Sequence, residues 1–360
     1  MTWYEVESAD SLSTPALLVY PDRVASNIKR AISIIGDTDR LRPHVKTHKM
    51  LEVGKIQVAA GLSRFKCATI AEAEMMAMAG AKDVLVAYQL LGPRISQLEQ
   101  LKNQYPDVIF SSLIDSIEGL DFLKTIDKTS SQIHVYIDLN VGQNRTGIKI
   151  GSVLTSIIER LVSDDTIAWE GFHVYDGHIT ESDLEFRTDD VERAISGIAS
   201  VLEKYPQAKI VAGGSPTFGV HALHEDRECS PGTFVFWDYG YQSKYPEYQF
   251  QYAAVIATRI ISKLDDHTFC LDLGYKHISA EITPPHIHFL NVGPYQQRGH
   301  SEEHLVIRFK EAQSLQLGDV LYGIPRHVCP TVALYNFANV VEDAALTGKW
   351  NVIARDLELG

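Results

Sequence analysis

Short apolar runs alternate with amphipathic stretches over residues 40–240. The runs that predict buried strands are Leu41–Val45, Phe65–Thr69, Asp83–Tyr88, Val108–Ile114, Ile133–Asp138, Glu170–Tyr175, Lys209–Gly213 and Thr233–Trp237. The stretches between them have helical spacing, most clearly over Ala71–Ala79 and over the longer Leu184–Lys204. Strands that alternate with helices predict a parallel sheet, and eight such units predict a (β/α)8 TIM-type barrel. A doubly wound open sheet is less favoured, because no Gly-x-Gly-x-x-Gly follows the first strand.

The pattern changes after Tyr252 to short strands separated by turns. These predicted strands are Val255–Lys263, Thr268–Leu273, His286–Asn291, His304–Arg308, Val320–Gly323 and Val332–Val341. Together they predict a C-terminal antiparallel β domain. We place the barrel at residues 17–245 and the β domain at residues 246–360 with 1–16. A further strand over Thr14–Tyr20 can pair with either domain.

Composition narrows the classes of function. The chain has 360 residues, a formal net charge of -13 and 45% hydrophobic residues, which suits a large folded core. No basic stripe with aromatic residues indicates a nucleic-acid partner, and no run of apolar residues is long enough to span a membrane. The four cysteines are widely separated, and the N-terminus has no secretory pattern. We therefore expect a cytoplasmic protein with reduced thiols.

The segment from Leu41 to Met50 carries the most chemical information. It reads Leu-Arg-Pro-His-Val-Lys-Thr-His-Lys-Met, so Lys46 follows the first predicted strand. A lysine held beside cations or apolar groups loses its proton more readily and can then attack an aldehyde such as that of pyridoxal phosphate. His44 is a further candidate cofactor-binding residue. The alternative is a solvated basic loop.

Two other loops follow predicted strands. Gly213-Gly214-Ser215-Pro216-Thr217 follows the seventh, where barrel enzymes commonly bind phosphate through backbone amides and hydroxyl groups. A plain tight turn is the alternative. Arg145 follows the fifth strand, where a guanidinium group can bind a phenolate or carboxylate oxygen, or stabilise the loop against Asp138.

The sixth predicted strand ends in Phe-His-Val-Tyr-Asp-Gly-His. Alternation along a strand places His173 and Tyr175 on one face, where a ring can lie against a pyridine. Histidine as a residue type exchanges protons near neutral pH, so His178 is a candidate general base. Structural hydrogen bonding is the alternative for each of these residues.

A possible metal pair lies in the predicted β domain, within Pro-Arg-His-Val-Cys-Pro-Thr. On an extended segment His327 and Cys329 point the same way, which suits two ligands of one ion. Imidazole with thiolate favours zinc over magnesium or calcium. Two protein ligands leave positions open for water or substrate, as a catalytic metal requires.

Together these motifs resemble those of the D-threonine aldolase and D-serine dehydratase family, which are pyridoxal phosphate enzymes of the alanine-racemase fold type. The resemblance runs from about Thr14 to the C-terminus. It implies that Lys46 rather than Lys49 binds the cofactor as an imine, that the glycine loop binds its phosphate, and that Arg145 and Tyr175 contact it. It also implies that His178 is catalytic and that His327 and Cys329 bind a divalent metal, zinc or manganese.

The resemblance predicts a homodimeric lyase that acts on a D-configured β-hydroxy amino acid. We rank D-threonine aldolase-like cleavage to glycine and an aldehyde first. D-serine dehydratase-like release of pyruvate and ammonia is the alternative. An amino-acid racemase and a non-catalytic pyridoxal phosphate-binding protein are less favoured, the racemase because of the predicted metal and the carrier because of the β domain.

Overall fold

The computed structural model describes residues 2–125 and 132–356. Its helices are Pro21–Ile35 (α1), Leu51–Ala59 (α2), Ile70–Ala79 (α3), Pro93–Gln104 (α4), Ile117–Leu123 (α5), Ser152–Val162 (α6), Leu184–Ser196 (α7), Ala199–Lys204 (α8), Phe218–Ala222 (α9), Tyr239–Lys244 (α10) and Val328–Val332 (α11). Its strands are Ala16–Val19 (β1), Arg64–Cys67 (β2), Asp83–Gln89 (β3), Ile109–Ile114 (β4), Ile133–Leu139 (β5), Ile167–Val174 (β6), Lys209–Ala212 (β7), Arg227–Cys229 (β8), Ala254–Lys263 (β9), Thr268–Leu271 (β10), Ile287–Phe289 (β11), Tyr295–His300 (β12), Leu305–Phe309 (β13), Val320–Pro325 (β14), Phe337–Glu342 (β15) and Ala345–Asn351 (β16). None of the described helices has the length and apolar character that crossing a membrane requires.

A parallel sheet forms the barrel domain. Within the described residues it contains seven strands, β2 to β8, in sequence order. Residues 41–44 bridge both of its edges, since Leu41 pairs with Cys229 and His44 pairs with Lys66. The alternating strands and helices thus form the predicted barrel, which confirms that fold class.

Two predicted barrel strands are wrong in detail. Leu41–Val45 makes only isolated bridges, because Pro43 has no amide donor and can only accept, here from the amide of Lys66 at 2.9 Å. Thr233–Val235 is a 3₁₀ turn, in which the amides of Phe236 and Trp237 bond back to the Thr233 carbonyl at 3.1 and 2.7 Å. The place that we predicted for the eighth barrel strand is taken by the shorter β8, Arg227–Cys229, which is the last strand of the described sheet.

The interior of the barrel contains a fully buried arginine. Arg42 donates to both carboxylate oxygens of Asp83, at 2.7 and 2.9 Å, and to Glu228 at 2.7 Å. Removing Arg42 would leave two largely buried carboxylates without the cation that they share, which is costly. This ion-pair cluster therefore fixes the segment that leads into Lys46.

The β domain has the strand order β12-β13-β10-β9-β1-β15-β16, and β14 pairs with β9 and β11. Its pairings are antiparallel except for β1 with β15. The predicted strand Val332–Val341 is wrong at its start, because α11 ends at Val332 and β15 begins at Phe337. The polar strands β12 and β16 were not predicted, since neither shows a continuous apolar face.

The chain separates into two compact units. One contains residues 29–46 and 51–232, and the other contains residues 2–28, 47–50 and 233–355. The predicted boundaries lie at residues 17 and 246. The difference at the N-terminus arises because β1 pairs with β9 and β15, so residues 16–19 belong to the β domain.

Candidate active site

A cavity of about 310 Å³ opens among the carboxyl ends of the barrel strands. Its polar lining includes His44, Lys46, Lys66, Asp115, Asp138, Arg145, His173 and Tyr175. The carboxyl ends of parallel strands form the active face of such barrels. The structure therefore brings together five predicted site residues: His44, Lys46, Arg145, His173 and Tyr175.

Lys46 lies on a 3₁₀ turn, Val45–Thr47. Its neighbours Val45 and Thr47 are buried, whereas Lys46 itself is exposed. The Lys46 amide lies 3.4 Å from Nδ1 of His44. The turn thus presents a lysine side chain to the cavity from a buried backbone.

The side chains of β5 and β6 form one hydrogen-bonded group on the cavity wall. Nδ1 of His173 lies 2.7 Å from Asp138, which also accepts from Thr146 at 2.8 Å. Burial alone would raise the pKa of Asp138, but His173 and Thr146 lower it below its ordinary value. Burial lowers the pKa of His173, opposed by Asp138. Asp138 is therefore an ionised acceptor that holds a neutral imidazole.

Tyr175 extends this group towards two cations. The Arg145 guanidinium lies 5.0 Å from the centre of the Tyr175 ring, and the Lys66 ammonium group lies 5.6 Å from it. Asp138 is bonded to His173 and Thr146 rather than to Arg145, whose side chain is exposed. Arg145 is accordingly available to a ligand.

The glycine loop has a conformation that needs its glycines. Gly213 has φ +71°, and a Cβ there would lie 2.5 Å from His221 and 2.9 Å from the Thr217 hydroxyl. A Cβ at Gly214 would lie 3.2 Å from the Tyr175 ring. The backbone is therefore packed closely against the side chains around it.

A buried network supports this loop from below. Asp176 accepts from the Thr217 hydroxyl at 2.8 Å and from Nε2 of His221 at 2.7 Å. Arg227 donates to Nδ1 of His221 at 3.2 Å, so the ring proton lies on Nε2. The Ser215 hydroxyl accepts from the Gly232 amide at 3.2 Å. Sequence reasoning missed Asp176, whose signal is a polar residue that follows a buried strand, and His221, which lies within α9.

His178 does not line the cavity that contains Lys46. It is exposed, and it borders a separate groove of about 510 Å³ together with Asn140, Lys149 and Arg193. A Cβ at Gly142 would lie 2.7 Å from its Nε2, so the histidine packs on the loop after β5. This placement gives the predicted role of His178 no support.

The predicted metal pair lies in the β domain, but not on an extended strand. His327 precedes α11, and Cys329 lies in its first turn. Burial lowers the pKa of His327, but Cys329 and Glu281 raise it more, to about 9. Glu281 is hydrogen-bonded to Nδ1 of His327, and the Cys329 sulfur lies 3.2 Å from the Thr47 hydroxyl. Among the described residues no three histidine, cysteine or acidic side chains form a metal-binding cluster.

Asp238 anchors this pair and was missed in the sequence. It is buried, and its carboxylate accepts from the amides of Tyr241 at 2.8 Å and Val328 at 3.1 Å. Burial raises its pKa to about 6 despite these bonds. Its signal was an aspartate that ends an aromatic run immediately before a short helix, which is typical of an N-cap.

Comparison with known proteins defines the class to which this fold and cavity belong. The model of the family described as "Alanine racemase, N-terminal domain" matches residues 19–240, and the model described as "Putative serine dehydratase domain" matches residues 253–341. The first match covers more than half of the chain. The chain belongs to the alanine racemase N-terminal domain family.

Its curated relatives are aldolases and dehydratases. D-threonine aldolase from Arthrobacter sp. is 25% identical over 358 residues, which cover 96% of this chain and 93% of that one. 3-hydroxy-D-aspartate aldolase from Paracoccus denitrificans (strain Pd 1222) is 23% identical and covers 96% of this chain and 92% of that one. The protein is an enzyme of the pyridoxal phosphate-dependent lyase group, as the motifs predicted.

Solved structures establish the fold. D-threonine aldolase from Filomicrobium marinum superposes with a TM-score of 0.87, at 23% identity, over 98% of each chain. D-threo-3-hydroxyaspartate dehydratase from Delftia sp. HT23 superposes with a TM-score of 0.79, at 23% identity, over 95% of this chain and 98% of that one. Two variants of such a dehydratase replace a cysteine, in a metal-free form, and a histidine two positions before it.

Proposed function

We propose that the protein is a metal-assisted lyase that cleaves D-β-hydroxy-α-amino acids, as a D-threonine aldolase does, to glycine and an aldehyde. The observation that carries the proposal is the cavity that groups Lys46 with Arg145, His173 and Tyr175. The relatives that span nearly the whole chain and are named D-threonine aldolase and 3-hydroxy-D-aspartate aldolase support the aldolase reaction.

The cavity residues fit pyridoxal phosphate. Lys46 is the exposed amine in a cavity lined by an aromatic ring, an imidazole and an exposed guanidinium group, and Gly214 packs closely against that aromatic ring, since a Cβ there would lie 3.2 Å from Tyr175. Lys46 would hold the aldehyde carbon, Arg145 an anionic oxygen, and the loop with Ser215 and Thr217 the phosphate. The cofactor, when bound, supplies an electron sink. Lys46 is also the amine that can hold a proton beside the substrate.

The donor set at His327 and Cys329 fits a divalent metal with open coordination positions. Glu281 engages Nδ1 of His327, which leaves Nε2 as the nitrogen for an ion, an arrangement common for histidine ligands. Imidazole with thiolate suits zinc, and manganese is the second candidate. The ion would supply a Lewis acid for an oxygen ligand. The structures of D-threo-3-hydroxyaspartate dehydratase variants in which a histidine or a cysteine two positions later is replaced, the cysteine variant in a metal-free form, support this pair.

We also propose that the enzyme is a cytoplasmic homodimer that acts on a small D-amino acid. The four cysteines are widely separated along the chain, as expected of a protein in a reducing compartment. The oligomeric state is measured by light scattering of the purified full chain, and a monomer that retains full activity would contradict the dimer.

Dehydration is the second candidate reaction. D-threo-3-hydroxyaspartate dehydratase from Delftia sp. (strain HT23) is 28% identical, over 63% of this chain and 62% of that one. D-serine dehydratase from Dictyostelium discoideum is 21% identical, over 94% of this chain and 95% of that one. Both reactions start from a β-hydroxy amino acid, so they differ in which bond at Cβ breaks.

One experiment separates these functions. The purified enzyme is incubated with D-threonine, D-serine and 3-hydroxy-D-aspartate, and glycine, 2-oxo acids and L-enantiomers are assayed before and after chelation. Glycine formation that is abolished by chelation supports the aldolase reaction. A 2-oxo acid indicates the dehydratase, an L-amino acid insensitive to chelation indicates a racemase, and no product with bound cofactor indicates a non-catalytic carrier.

A further inference from the structure

A second lysine lies inside the barrel, on strand β2 between two apolar residues. Lys66 is 2% exposed, and its strand neighbours Phe65 and Cys67 are fully buried. Its side chain lines the same cavity as Lys46. Lysine is rarely buried without a partner, because its charge is costly to desolvate. Within the described residues no carboxylate lies at ion-pair distance from Nζ of Lys66, so an ordinary salt bridge does not explain this position.

The polar partner of Lys66 is His173. Nζ lies 3.4 Å from Nε2 of His173, and Nδ1 of that ring lies 2.7 Å from Asp138. Because an ionised carboxylate only accepts, Nδ1 carries the ring proton and Nε2 accepts from Lys66. An amine and an ammonium group both have an N–H to donate. The contact is therefore retained whether Lys66 is charged or neutral, as a group that exchanges a proton requires.

Charged groups on several elements face Lys66. Burial is the largest influence and lowers its pKa; Lys46 and Arg42 lower it as well, whereas Asp138 and Asp176 oppose them. The resulting pKa is about 7. Both protonation states are thus populated at neutral pH, and the cation of Lys46 contributes directly to that balance.

We propose that Lys66 is a second functional amine of the cofactor cavity, the proton-exchanging end of a buried Asp138–His173–Lys66 relay. This inference rests on the proposed function in so far as the cavity binds the cofactor. In the exchange an N–H bond of the ammonium group breaks, its electron pair stays on Nζ, and the proton passes to a ligand or a water molecule in the cavity. The reverse step restores the ammonium group, and Asp138 and His173 keep their hydrogen bond throughout.

The first test uses the cofactor-free full chain labelled with ¹³C at lysine Cε. The Lys66 resonance is assigned by its loss in Lys66→Met, and its chemical shift is followed with pH. We expect a midpoint near neutral pH that falls in Asp138→Asn, since that change removes a carboxylate that stabilises the ammonium form. A midpoint near the ordinary lysine pKa, or one unmoved in Asp138→Asn, would overturn the relay.

The second test uses the loaded enzyme. The absorbance spectrum of the lysine-bound cofactor should change with pH near neutrality in the wild type, and this change should vanish in Lys66→Met and in Lys66→Arg, which stays charged. We expect kcat/KM to fall about 100-fold in both variants, the usual size of a proton-transfer contribution. The surface variant Lys82→Met is the matched control and should match the wild type.

The outcomes separate this inference from the proposed function. Full activity in Lys66→Arg would mean that Lys66 supplies only charge and would overturn the proton role. If the lysine midpoint lies near neutral pH but no D-amino acid yields glycine or a 2-oxo acid, the proposed function fails while the relay stands. If product forms but the pH-dependent spectral change survives in Lys66→Met, the relay fails while the function stands.

Discussion

The barrel cavity and the His327–Cys329 pair differ in how many of the residues that a binding site needs each one supplies. The cavity draws polar side chains from β2, β5 and β6, and its central histidine is only 5% exposed. The pair comes from one short segment, and the side chain of His327 is 41% exposed. Three strands of a rigid sheet fix positions that one turn cannot, so the cavity offers a preorganised site. The pair offers two metal ligands and leaves the remaining coordination positions to solvent or substrate.

Replacement of Lys46 has the largest expected effect. Lys46→Ala should remove the absorbance at about 420 nm of lysine-bound cofactor, because no amine then holds the aldehyde at that position. Activity should fall at least about 1,000-fold, as for the loss of a nucleophile. Lys49→Ala is the matched control, since Lys49 donates to the Ala354 carbonyl at 3.2 Å and belongs to the other compact unit. A band that persisted in Lys46→Ala would show that another amine binds the cofactor, with Lys66 as the first candidate.

The metal pair provides the complementary test. His327→Ala and Cys329→Ser should each lower metal content, measured by mass spectrometry, and lower turnover about 100-fold. The cofactor band should remain, because the cavity is formed by the barrel residues alone. Cys270→Ser, a partly buried thiol in the same domain, is the control. Unchanged turnover in both variants would remove the metal from the proposed reaction.

This contrast also separates what the sequence could predict from what it could not. Residues that follow strands, such as Arg145 and Tyr175, were predictable because parallel strands all end at one edge of the sheet. Lys46 was predicted at the same edge, although the segment before it forms only isolated bridges. The His-x-Cys spacing was predictable, but its backbone was not: a helical turn begins where an extended strand was expected. Short polar segments have little apolar periodicity, so tertiary context decides their structure.

The buried lysine shows a second limit of sequence reasoning. The motifs indicate Lys46 as the reactive amine, and Lys46 is exposed, whereas the buried amine is Lys66. Its signal was present, since it interrupts the apolar run Phe65–Thr69. What the sequence could not supply was its partner, because His173 lies 107 residues away along the chain. Contacts between distant strands follow from the register of the sheet.

A smaller effect is expected below the glycine loop. In Asp176→Asn one acceptor oxygen becomes an amide donor that faces either the Thr217 hydroxyl or the His221 N–H, so one of two buried hydrogen bonds is lost. We expect the dissociation constant of pyridoxal phosphate to rise about tenfold, with kcat at saturating cofactor nearly unchanged. Fluorescence titration measures it, and the exposed Asp121→Asn is the control. A lower kcat at saturation would mean that Asp176 acts on the reaction itself.

The smallest effect is expected at His178, and it tests the limits of the cavity. If His178 is the general base suggested by the motifs, His178→Ala should lower kcat about 100-fold, with loss of the acidic limb of the pH profile, which reports protonation of the base. Its position on the separate groove beside Gly142 instead predicts a change of less than about threefold, typical of an exposed side chain that contacts neither cofactor nor substrate. The measurement is kcat against pH for His178→Ala beside His173→Phe, which removes the histidine that does line the cavity. A large loss in the first variant would show that the loops after β5 and β6 rearrange when substrate binds, because only such movement brings His178 to the reacting atoms.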